Sequence, residues 1–313
     1  MKRRFYSILV LVFVLAFAFT TVAFAKNYSI VSSATGGLWY SMVSGAAALW
    51  TDKIPGVSVN GEGTAGSVEN ARRFASGEAD FGLLHATHLM DMLNGTGVMK
   101  GHPSDAAQVL CQAYESPQYF VTLKSKNIKT VQDLRGKKVA FGAAGSGVSA
   151  QTQTVLRVLG VDVNGMEMET ADAARELQVG RIDAMGFTGG FAAAITELAA
   201  TVPIYVIPYK PEEIQKMADY SPFYFAGKLP ANVYQGQTKD VPVWSFPVFL
   251  CAHKNVPADV VEKILKVSFS DEGQKFLKTS NKQWDICDNP AVIEQMKAPY
   301  HPGAVEYWKK HTK

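Results

Sequence analysis

Short apolar runs alternate with longer mixed runs along most of the chain. Residues 28–31 and 81–84 are apolar and of strand length, whereas residues 38–50 combine Ala, Leu, Met and Trp over a helical length. Strands that alternate with helices are typical of a mostly parallel sheet covered by helices. The pattern therefore predicts a protein of the α/β class.

The same criteria assign the other elements of the chain. Further strands are predicted at residues 57–60, 109–114, 119–123, 138–141, 184–187, 204–207 and 243–252. Further helices are predicted at residues 68–75, 87–93, 148–159, 171–179, 191–200, 257–269, 271–277 and 306–311, with a helical turn at 131–134. Glu115-Ser116-Pro117 is predicted to separate two strands, and residues 208–242 show no assignable pattern.

These elements fall into two α/β sets, each with glycine-rich or hydroxyl-rich loops after its strands. Ligands of such sheets bind beyond the carboxyl ends of the strands, and two facing sets create a cleft. The prediction is a first lobe of residues 26–123 with 246–313 returning to it, and a second lobe of residues 124–245, joined by a hinge.

The first 25 residues have the three parts of an export signal. Lys2, Arg3 and Arg4 precede an apolar core, and Ala23-Phe24-Ala25 is a small-x-small cleavage site. A membrane anchor is the alternative, but the core is short and no second apolar run of spanning length follows. The sequence predicts cleavage after Ala25, a periplasmic location, and no lipid anchor, because no Cys stands at the cut.

Charge and cysteine content argue against nucleic-acid binding and against zinc or redox sites. Residues 1–25 contain three basic and no acidic residues, so the remaining chain has 28 of each sign, and its net charge gives no support to nucleic-acid binding. Cys111, Cys251 and Cys287 include no Cys-x-x-Cys pair, so zinc and redox sites are disfavoured. The sequence leaves open whether two of them form a disulfide.

Candidate ligand contacts of the first lobe lie where predicted strands pass into helices. A helix start exposes unpaired backbone N–H groups and the positive end of the helix dipole, which together favour an anion. Ordinary helix capping is the alternative for each hydroxyl at such a turn. The candidates are Thr35, Gly36, Gly37, Tyr40, Thr64, Ala65, Ser67, His85 and Tyr114.

Three aromatic side chains allow more than one interpretation. His85 ends a predicted strand and is expected to partner a carboxylate, whereas Tyr114 would supply a hydroxyl or an aromatic wall. His85-x-x-His88 also fits a metal site, but no Cys or carboxylate stands at ligand spacing nearby, so none is expected. Trp39 is assigned to the core, with a pocket wall as the alternative.

The second lobe contributes a glycine turn at residues 142–149. Ser146, Gly147 and Ser149 are expected to offer hydrogen-bond donors to an anion at a helix start. The turn nearly matches a P-loop and a relaxed dinucleotide fingerprint, but Val148 replaces the P-loop lysine and the turn lies in mid-chain. No cofactor is therefore expected. Phe187 and Gly189, after a later strand, complete the candidate contacts.

Six segments together resemble the TAXI group of extracytoplasmic solute receptors, the substrate-binding proteins of tripartite ATP-independent periplasmic (TRAP) transporters. Their order and spacing extend over most of the chain. The segments are residues 34–40 (ATGGLWY), 63–70 (GTAGSVEN), 76–82 (SGEADFG), 133–139 (DLRGKKV), 145–147 (GSG) and 180–184 (GRIDA). Two positions depart from the group: Val148 follows Gly147 where threonine is frequent, and His85 stands where glutamine or a similar polar residue is common.

The resemblance implies a two-lobed periplasmic-binding-protein fold of the type II kind that closes over a small organic acid. It also implies that the receptor docks on the membrane subunits of a transporter driven by an ion gradient. The expected function is binding of a glutamate-like or other carboxylate without catalysis. A periplasmic enzyme on the same fold is the alternative, although the chain has neither a Gly-x-Ser-x-Gly nor an HExxH motif.

Overall fold

The computed structural model describes residues 26–35 and 37–311, so the predicted export signal and Gly36 lie outside the described residues. The strands are β1 (Lys26–Val31), β2 (Val57–Glu62), β3 (Phe81–His85), β4 (Ala107–Leu123), β5 (Lys138–Ala140), β6 (Asn164–Met166), β7 (Ala184–Thr188), β8 (Ile204–Ile207), β9 (Phe225–Leu229) and β10 (Val241–His253).

Helices cover the faces of the sheet and connect its parallel strands. They are α1 (Leu38–Lys53), α2 (Ser67–Ser76), α3 (Ala86–Asn94), α4 (Gly147–Leu159), α5 (Thr170–Gln178), α6 (Ala193–Thr201), α7 (Pro211–Tyr220), α8 (Ala258–Ser268), α9 (Asp271–Ser280), α10 (Pro290–Met296) and α11 (Pro302–His311). In the part of the chain that the structure describes, none of these helices has the length and apolar content needed to span a membrane.

Two long strands join the two halves of a continuous sheet. The strand order is β2-β1-β3-β10-β4-β7-β5-β6, with β8 also beside β4 and β9 also beside β10. The first part of β4 pairs with β10, next to the parallel group β1–β3, whereas its second part pairs with β7 and β8. The chain thus has the two-lobed α/β architecture predicted above, while the exact limits of the lobes remain a prediction.

Helix α1 ties the carboxyl-terminal helices to the first lobe. Its buried face includes Met42 and Trp50, spaced as one side of a helix requires. The Trp50 ring meets Phe81 of β3 edge-on with centroids 5.5 Å apart, and its Nε1 donates to Ser268 Oγ at 2.9 Å. Trp284 Nε1 donates to the Met42 carbonyl at 3.2 Å. The hydrogen bonds of these two buried tryptophans thus hold residues 258–284 against α1.

The predicted separation into two strands at Glu115-Ser116-Pro117 is wrong. The structure has one strand of 17 residues, β4, that runs through this triplet. Pro117 lacks an N–H, but it lies where β4 changes neighbours, and its carbonyl accepts a hydrogen bond from Gly189 N at 2.9 Å. A proline is tolerated at such a position because no ladder donor is required there.

Other differences concern short or polar elements. The predicted helix at residues 191–200 begins later, at Ala193, and the unassigned region 208–242 contains α7 and β9. Neither β6 nor α10 was predicted. The three residues of β6 are polar, glycine or half-buried, and α10 is only seven residues long, so neither shows an apolar period.

Candidate functional site

A cleft lies between the two lobes, beyond the carboxyl ends of their strands. The loops after β1 and β2 and the end of β3 form one wall, and the loops after β5 and β6 and the end of β7 form the other, around a cavity of about 90 Å³. The lining residues are Ser33, Ala34, Gly37, Leu38, Trp39, Ala65, Gly66, Ser67, His85, Ala143, Ser146, Gly147, Val148, Glu169, Thr170, Phe187 and Thr188.

Within residues 26–35 and 37–311, five helices begin at this cleft. Helices α1, α2 and α3 start from the first lobe, and α4 and α5 start from the second, each with a lining residue at its cap or first turn. Each helix start carries roughly half a positive elementary charge from the aligned peptide dipoles. These helix starts favour an anion in the cleft, although none of the described lining residues is Lys or Arg.

Backbone donors at two facing helix starts are unused. Within the described chain, the N–H groups of Ser67 and Val68 at the start of α2 have no acceptor, and neither do those of Gly147 and Val148 at the start of α4. Gly66 precedes α2 with φ 120° and ψ −155°, a conformation that is essentially restricted to glycine. This backbone turn brings the α2 start up to the α4 start across the cleft.

Ser67 connects the α2 start to two histidines. Its Oγ accepts the backbone N–H of His85 at 2.9 Å and lies 2.9 Å from His88 Nδ1. If His88 carries its proton on Nδ1, the histidine donates to Ser67 and leaves the serine proton free for a cleft ligand. The His88 tautomer therefore decides whether the Ser67 hydroxyl donates into the cleft.

The His85 ring is clamped between aromatic rings. Its centroid lies 5.1 Å from Trp39, 5.2 Å from His88 and 4.6 Å from Phe246. Burial, together with the neighbouring His88, lowers the pKa of His85 well below its usual value, and burial lowers the pKa of His88 to about 4. Both rings are therefore neutral at neutral pH.

Two lining side chains present polar atoms without partners. His85 is 3 % exposed, and its Nδ1 is buried with no hydrogen-bond partner among the described residues. Ser33 Oγ is likewise buried and without a partner in the described part of the chain. An unpaired buried polar atom costs about 1–3 kcal/mol, so both atoms are suited to a polar ligand.

Seven of the predicted contacts meet at the cleft. These are Gly37, Ala65, Ser67, His85, Ser146, Gly147 and Phe187. Some of them offer no free backbone donor, since Gly37 N bonds to the Ala34 carbonyl at 2.8 Å and Ala65 N bonds to Glu69 Oε2 at 2.7 Å. Ser146 caps α4 by accepting from Ser149 N at 3.0 Å.

Two predicted contacts of the first lobe support the walls from behind. Thr64 is buried and hydrogen-bonds to the Ser32 carbonyl and to Asn70 Oδ1 at 3.0 and 2.7 Å. Tyr114 accepts the indole N–H of Trp39 at 2.6 Å. Trp39 is thus both buried, as expected, and part of the cleft wall, which was the alternative.

Four other predicted residues also lie outside the lining. Thr35 is exposed and Tyr40 is half-buried away from the cleft. Ser149 turns toward Glu167, to whose Oε1 it donates at 2.7 Å. Gly189 has φ 110° and packs near Leu38, and its N–H is taken by the Pro117 carbonyl.

Some residues that form or support the cleft were not among the predicted contacts. Asn70 supports the cleft from behind, because its amide donates to the Ser32 and Leu83 carbonyls at 2.8 and 3.0 Å. Ser33 lies two residues after β1, in the turn where the contacts were predicted, so its position was a usable signal. Glu169 and Thr170 follow β6, whose weak pattern concealed the loop.

Contacts across the cleft show that the lobes lie close together. A Cβ placed on Gly147 would lie 2.5 Å from His85 Cε1. Gln151 of α4 donates from Nε2 to Thr87 Oγ1 of α3 at 2.7 Å, and its Oε1 accepts the Tyr224 hydroxyl at 2.5 Å. Gln151 is 1 % exposed, so its hydrogen bond to Thr87, which joins the predicted lobes, lies close to a buried side chain.

The side-chain charge of the cleft is small. None of the described residues that line it is Lys or Arg, and Glu169 is the acidic residue among them. Within residues 26–35 and 37–311, no group of three or more His, Cys, Asp or Glu residues could hold a metal ion. The arrangement is suited to hydrogen-bonding an anion through backbone and neutral side-chain donors.

Comparison with known proteins gives one family and a common fold. A family model described as the NMT1-like family matches residues 30–311. MatC from Rhodopseudomonas palustris with bound malate is 17 % identical, with a TM-score of 0.58 over 92 % of this chain and 99 % of that chain.

Two other solved structures have the same architecture. A periplasmic transporter structure is 13 % identical, with a TM-score of 0.58 over 95 % of this chain and 99 % of that chain. An ancestral arginine-binding protein bound to arginine is 18 % identical, with a TM-score of 0.52 over 82 % of this chain and 97 % of that chain. These likenesses show the two-lobed fold.

Proposed function

This chain belongs to the NMT1-like family, and from that premise we propose that it is a periplasmic solute receptor that binds a small carboxylate between its lobes. The structural neighbours named above support a binding role, since their descriptions include malate and arginine complexes. The observation that carries the proposal is the meeting of the α2 and α4 starts, with free N–H groups, beside the unpartnered His85 Nδ1.

The binding mechanism follows from the electrostatics of these helix starts. Two positive dipole ends that approach each other repel, and an anion placed between them converts that repulsion into attraction. A carboxylate would accept from the N–H groups of Ser67 and Gly147 and from His85 Nδ1–H. Its binding energy would select the closed arrangement of the lobes, which a membrane partner could recognise.

We propose that this partner consists of the membrane subunits of a TRAP-type secondary transporter, on the basis of the TAXI-like segments. Such a transporter is driven by an ion gradient, so ligand uptake by cells that contain the receptor and its membrane subunits should stop when the gradient is dissipated. Depletion of ATP at a maintained gradient should leave uptake intact. Loss of uptake on ATP depletion alone would instead indicate an ATP-driven partner.

The periplasmic location is testable from the protein itself. We propose that the export signal is removed after Ala25, so the secreted chain should begin at Lys26. Intact-mass measurement of protein released by osmotic shock checks both statements. Retention of residues 1–25 in the mature protein would favour a membrane-anchored receptor.

Binding without turnover is the proposed chemistry. Ser67 and His88 have the contact of a nucleophile and its base, yet the Ser67 oxygen already accepts the His85 N–H, and His88 has no orienting carboxylate among its hydrogen bonds within the described chain. A bound acid should therefore be recovered unchanged after prolonged incubation, as NMR of the extracted ligand would show. Conversion of the acid would support the enzyme alternative.

The main test is a thermal-shift screen of residues 26–313 against amino acids and organic acids. A ligand present at a hundred times its dissociation constant stabilises the folded state by about 2.7 kcal/mol, which a melting curve detects readily. The Ser67→Ala variant keeps the backbone N–H but lacks the hydroxyl, so it should lose part of this shift, whereas Thr35→Val, at an exposed position outside the lining, should retain it. Equal shifts in both variants would show that the Ser67 hydroxyl does not contact the ligand.

A further inference from the structure

We infer that the cleft selects small acids with a single carboxylate and discriminates against acids that carry a second anionic group. The inference rests on the proposed function, because it specifies the ligand class of the same cleft. It arises from the charges that line the cleft, from its apolar walls and from the position of Glu169, none of which the binding of a carboxylate by itself requires.

Donors for one carboxylate are concentrated at one place. The starts of α2 and α4 face each other there, since a Cβ on Gly66 would lie 3.7 Å from Gly147 N, and His85 Nδ1 adjoins both. Partial charges and neutral donors at this place can solvate one carboxylate. The unpartnered, buried His85 nitrogen is a second feature, independent of the helix starts, that points to an anion at this position.

Among the described lining residues, no basic side chain is present to pair with a second carboxylate of a ligand. The described lining contains no Lys or Arg, and the other helix start of the second lobe, that of α5, carries Glu169 at its cap. The Glu169 side chain is exposed and has no hydrogen-bond or ion-pair partner in the described chain, so no neighbouring cation compensates its charge at this end of the cleft. Water screens part of that charge, but two anionic groups within a few ångströms of each other still repel.

The walls of the cavity favour an uncharged or cationic remainder of the ligand. Leu38, Trp39, Val148 and Phe187 contribute apolar surface, and the cavity volume of about 90 Å³ is well below that of a site for a drug-sized ligand. An aliphatic chain would pack against these walls, and an amine or amide at its end could pair with Glu169. The ligand class is therefore a small monocarboxylate, including zwitterionic amino acids.

The experiment uses pairs of acids that differ by one charge at nearly constant shape. Dissociation constants are measured by calorimetry for L-glutamine against L-glutamate, L-asparagine against L-aspartate and succinamate against succinate, with L-valine and 2-oxoisovalerate as apolar monocarboxylates. In every pair that binds, the single-carboxylate member should bind at least tenfold more tightly. Binding of the apolar monocarboxylates alone would also support the inference.

The contrary outcomes separate the two proposals. If a dicarboxylate binds as tightly as its amide partner, this inference is overturned while the proposed receptor function stands. If no amino acid or organic acid binds at all, the proposed function fails, and the inference fails with it.

A charge reversal tests the part played by Glu169. Glu169→Lys should shift the ratio of the two dissociation constants of a pair toward the dicarboxylate by tenfold or more. Glu197→Lys makes the same change of net charge on α6, away from the cleft lining, and should leave the ratio unchanged. An unchanged ratio in Glu169→Lys would show that Glu169 does not select the ligand.

Discussion

The imidazole edge of His85 lies directly against the backbone of Gly147, from the opposite lobe. A Cβ on Gly147 would lie 2.5 Å from His85 Cε1 and 2.7 Å from its Nδ1, distances that real side chains do not tolerate. The ring is held on three sides by Trp39, His88 and Phe246 and has no room to retreat. Glycine at position 147 therefore determines how closely the lobes approach.

We expect Gly147→Ala to hold the lobes apart without unfolding either of them. Residue 147 occupies the first position of α4 and has no positive φ, so the backbone accepts alanine there and the unfolding free energy should change by less than about 1 kcal/mol. Amide hydrogen exchange in residues 65–68 and 146–149 should accelerate, and the radius of gyration from X-ray scattering should increase.

A compensating substitution at His85 provides the control for this prediction. Gly147→Ala combined with His85→Ala removes the ring that the new methyl group strikes, so protection from exchange should return. Thr154→Ala, on the same helix but outside the lining, should behave as the unaltered protein. Failure of the double variant to regain protection would show that another contact limits the approach.

The hydrogen bond from Gln151 to Thr87 should stabilise the closed arrangement, because it joins the two predicted lobes. Gln151→Leu removes it at a cost of about 1 kcal/mol, or roughly a fivefold lower population of the closed form, while the bond lost to Tyr224 lies within the second lobe. The measurement is hydrogen exchange in α3 and α4. In a double-mutant cycle with Thr87→Val the two effects should be less than additive; full additivity would mean that the bond contributes nothing to closure.

His88 should make stability depend on pH. Its pKa of about 4 in the folded protein lies below the value of 6.5 expected when unfolded, so the unfolded chain binds more protons between these values. The stabilisation is complete above pH 6.5 and decreases as pH falls toward 4, by up to about 3 kcal/mol. Urea unfolding between pH 7 and 5 measures the upper part of this decrease.

The His88→Asn variant should show a weaker decrease over the same pH range. Asparagine retains a polar atom near the Nδ1 position without titrating there. His102→Asn, at an exposed histidine, serves as the matched control and should follow the unaltered protein. Identical slopes for His88→Asn and the unaltered protein would assign the pH dependence to other groups.

Asn70 should be the costliest polar residue to lose behind the cleft. It is fully buried and bonds to the Ser32 and Leu83 carbonyls and to Thr64. Asn70→Ala leaves these groups unpaired, so the unfolding free energy should fall by about 3 kcal/mol. Urea unfolding against Asn60→Ala, an exposed asparagine of β2, measures the difference; a loss below about 1 kcal/mol would contradict this role.

Long elements were predictable because they bury a periodic apolar face. The predicted helix at 38–50 and the strand at 81–84 correspond to α1 and β3 with small changes at their ends. Elements such as β6 and α10, which bury little, carry no such period. The continuity of β4 through Pro117 depends on which strands lie beside it, and tertiary pairing of this kind is not encoded in local composition.

The candidate cleft was predictable at the level of loops but not of single side chains. The hydroxyls of Ser67 and Ser149 stand at similar helix starts, yet Ser67 lines the cleft and Ser149 binds Glu167. The direction of a side chain depends on its rotamer and its neighbours, which sequence alone does not give. His85 lines the cleft as the last residue of β3, whereas Tyr114, chosen by the same strand-end argument, lies within β4 and hydrogen-bonds to Trp39 behind the wall.

The fastening of residues 258–284 to α1 has a consequence for biogenesis. Trp50 and Ser268 are separated by 218 positions in the chain, so the amino-terminal half of the molecule lacks part of its core until the ribosome has almost finished synthesis. We therefore expect the first lobe to complete its fold only after residues 258–284 have emerged. If residues 1–25 act as the proposed export signal, this delay would keep the chain competent for export.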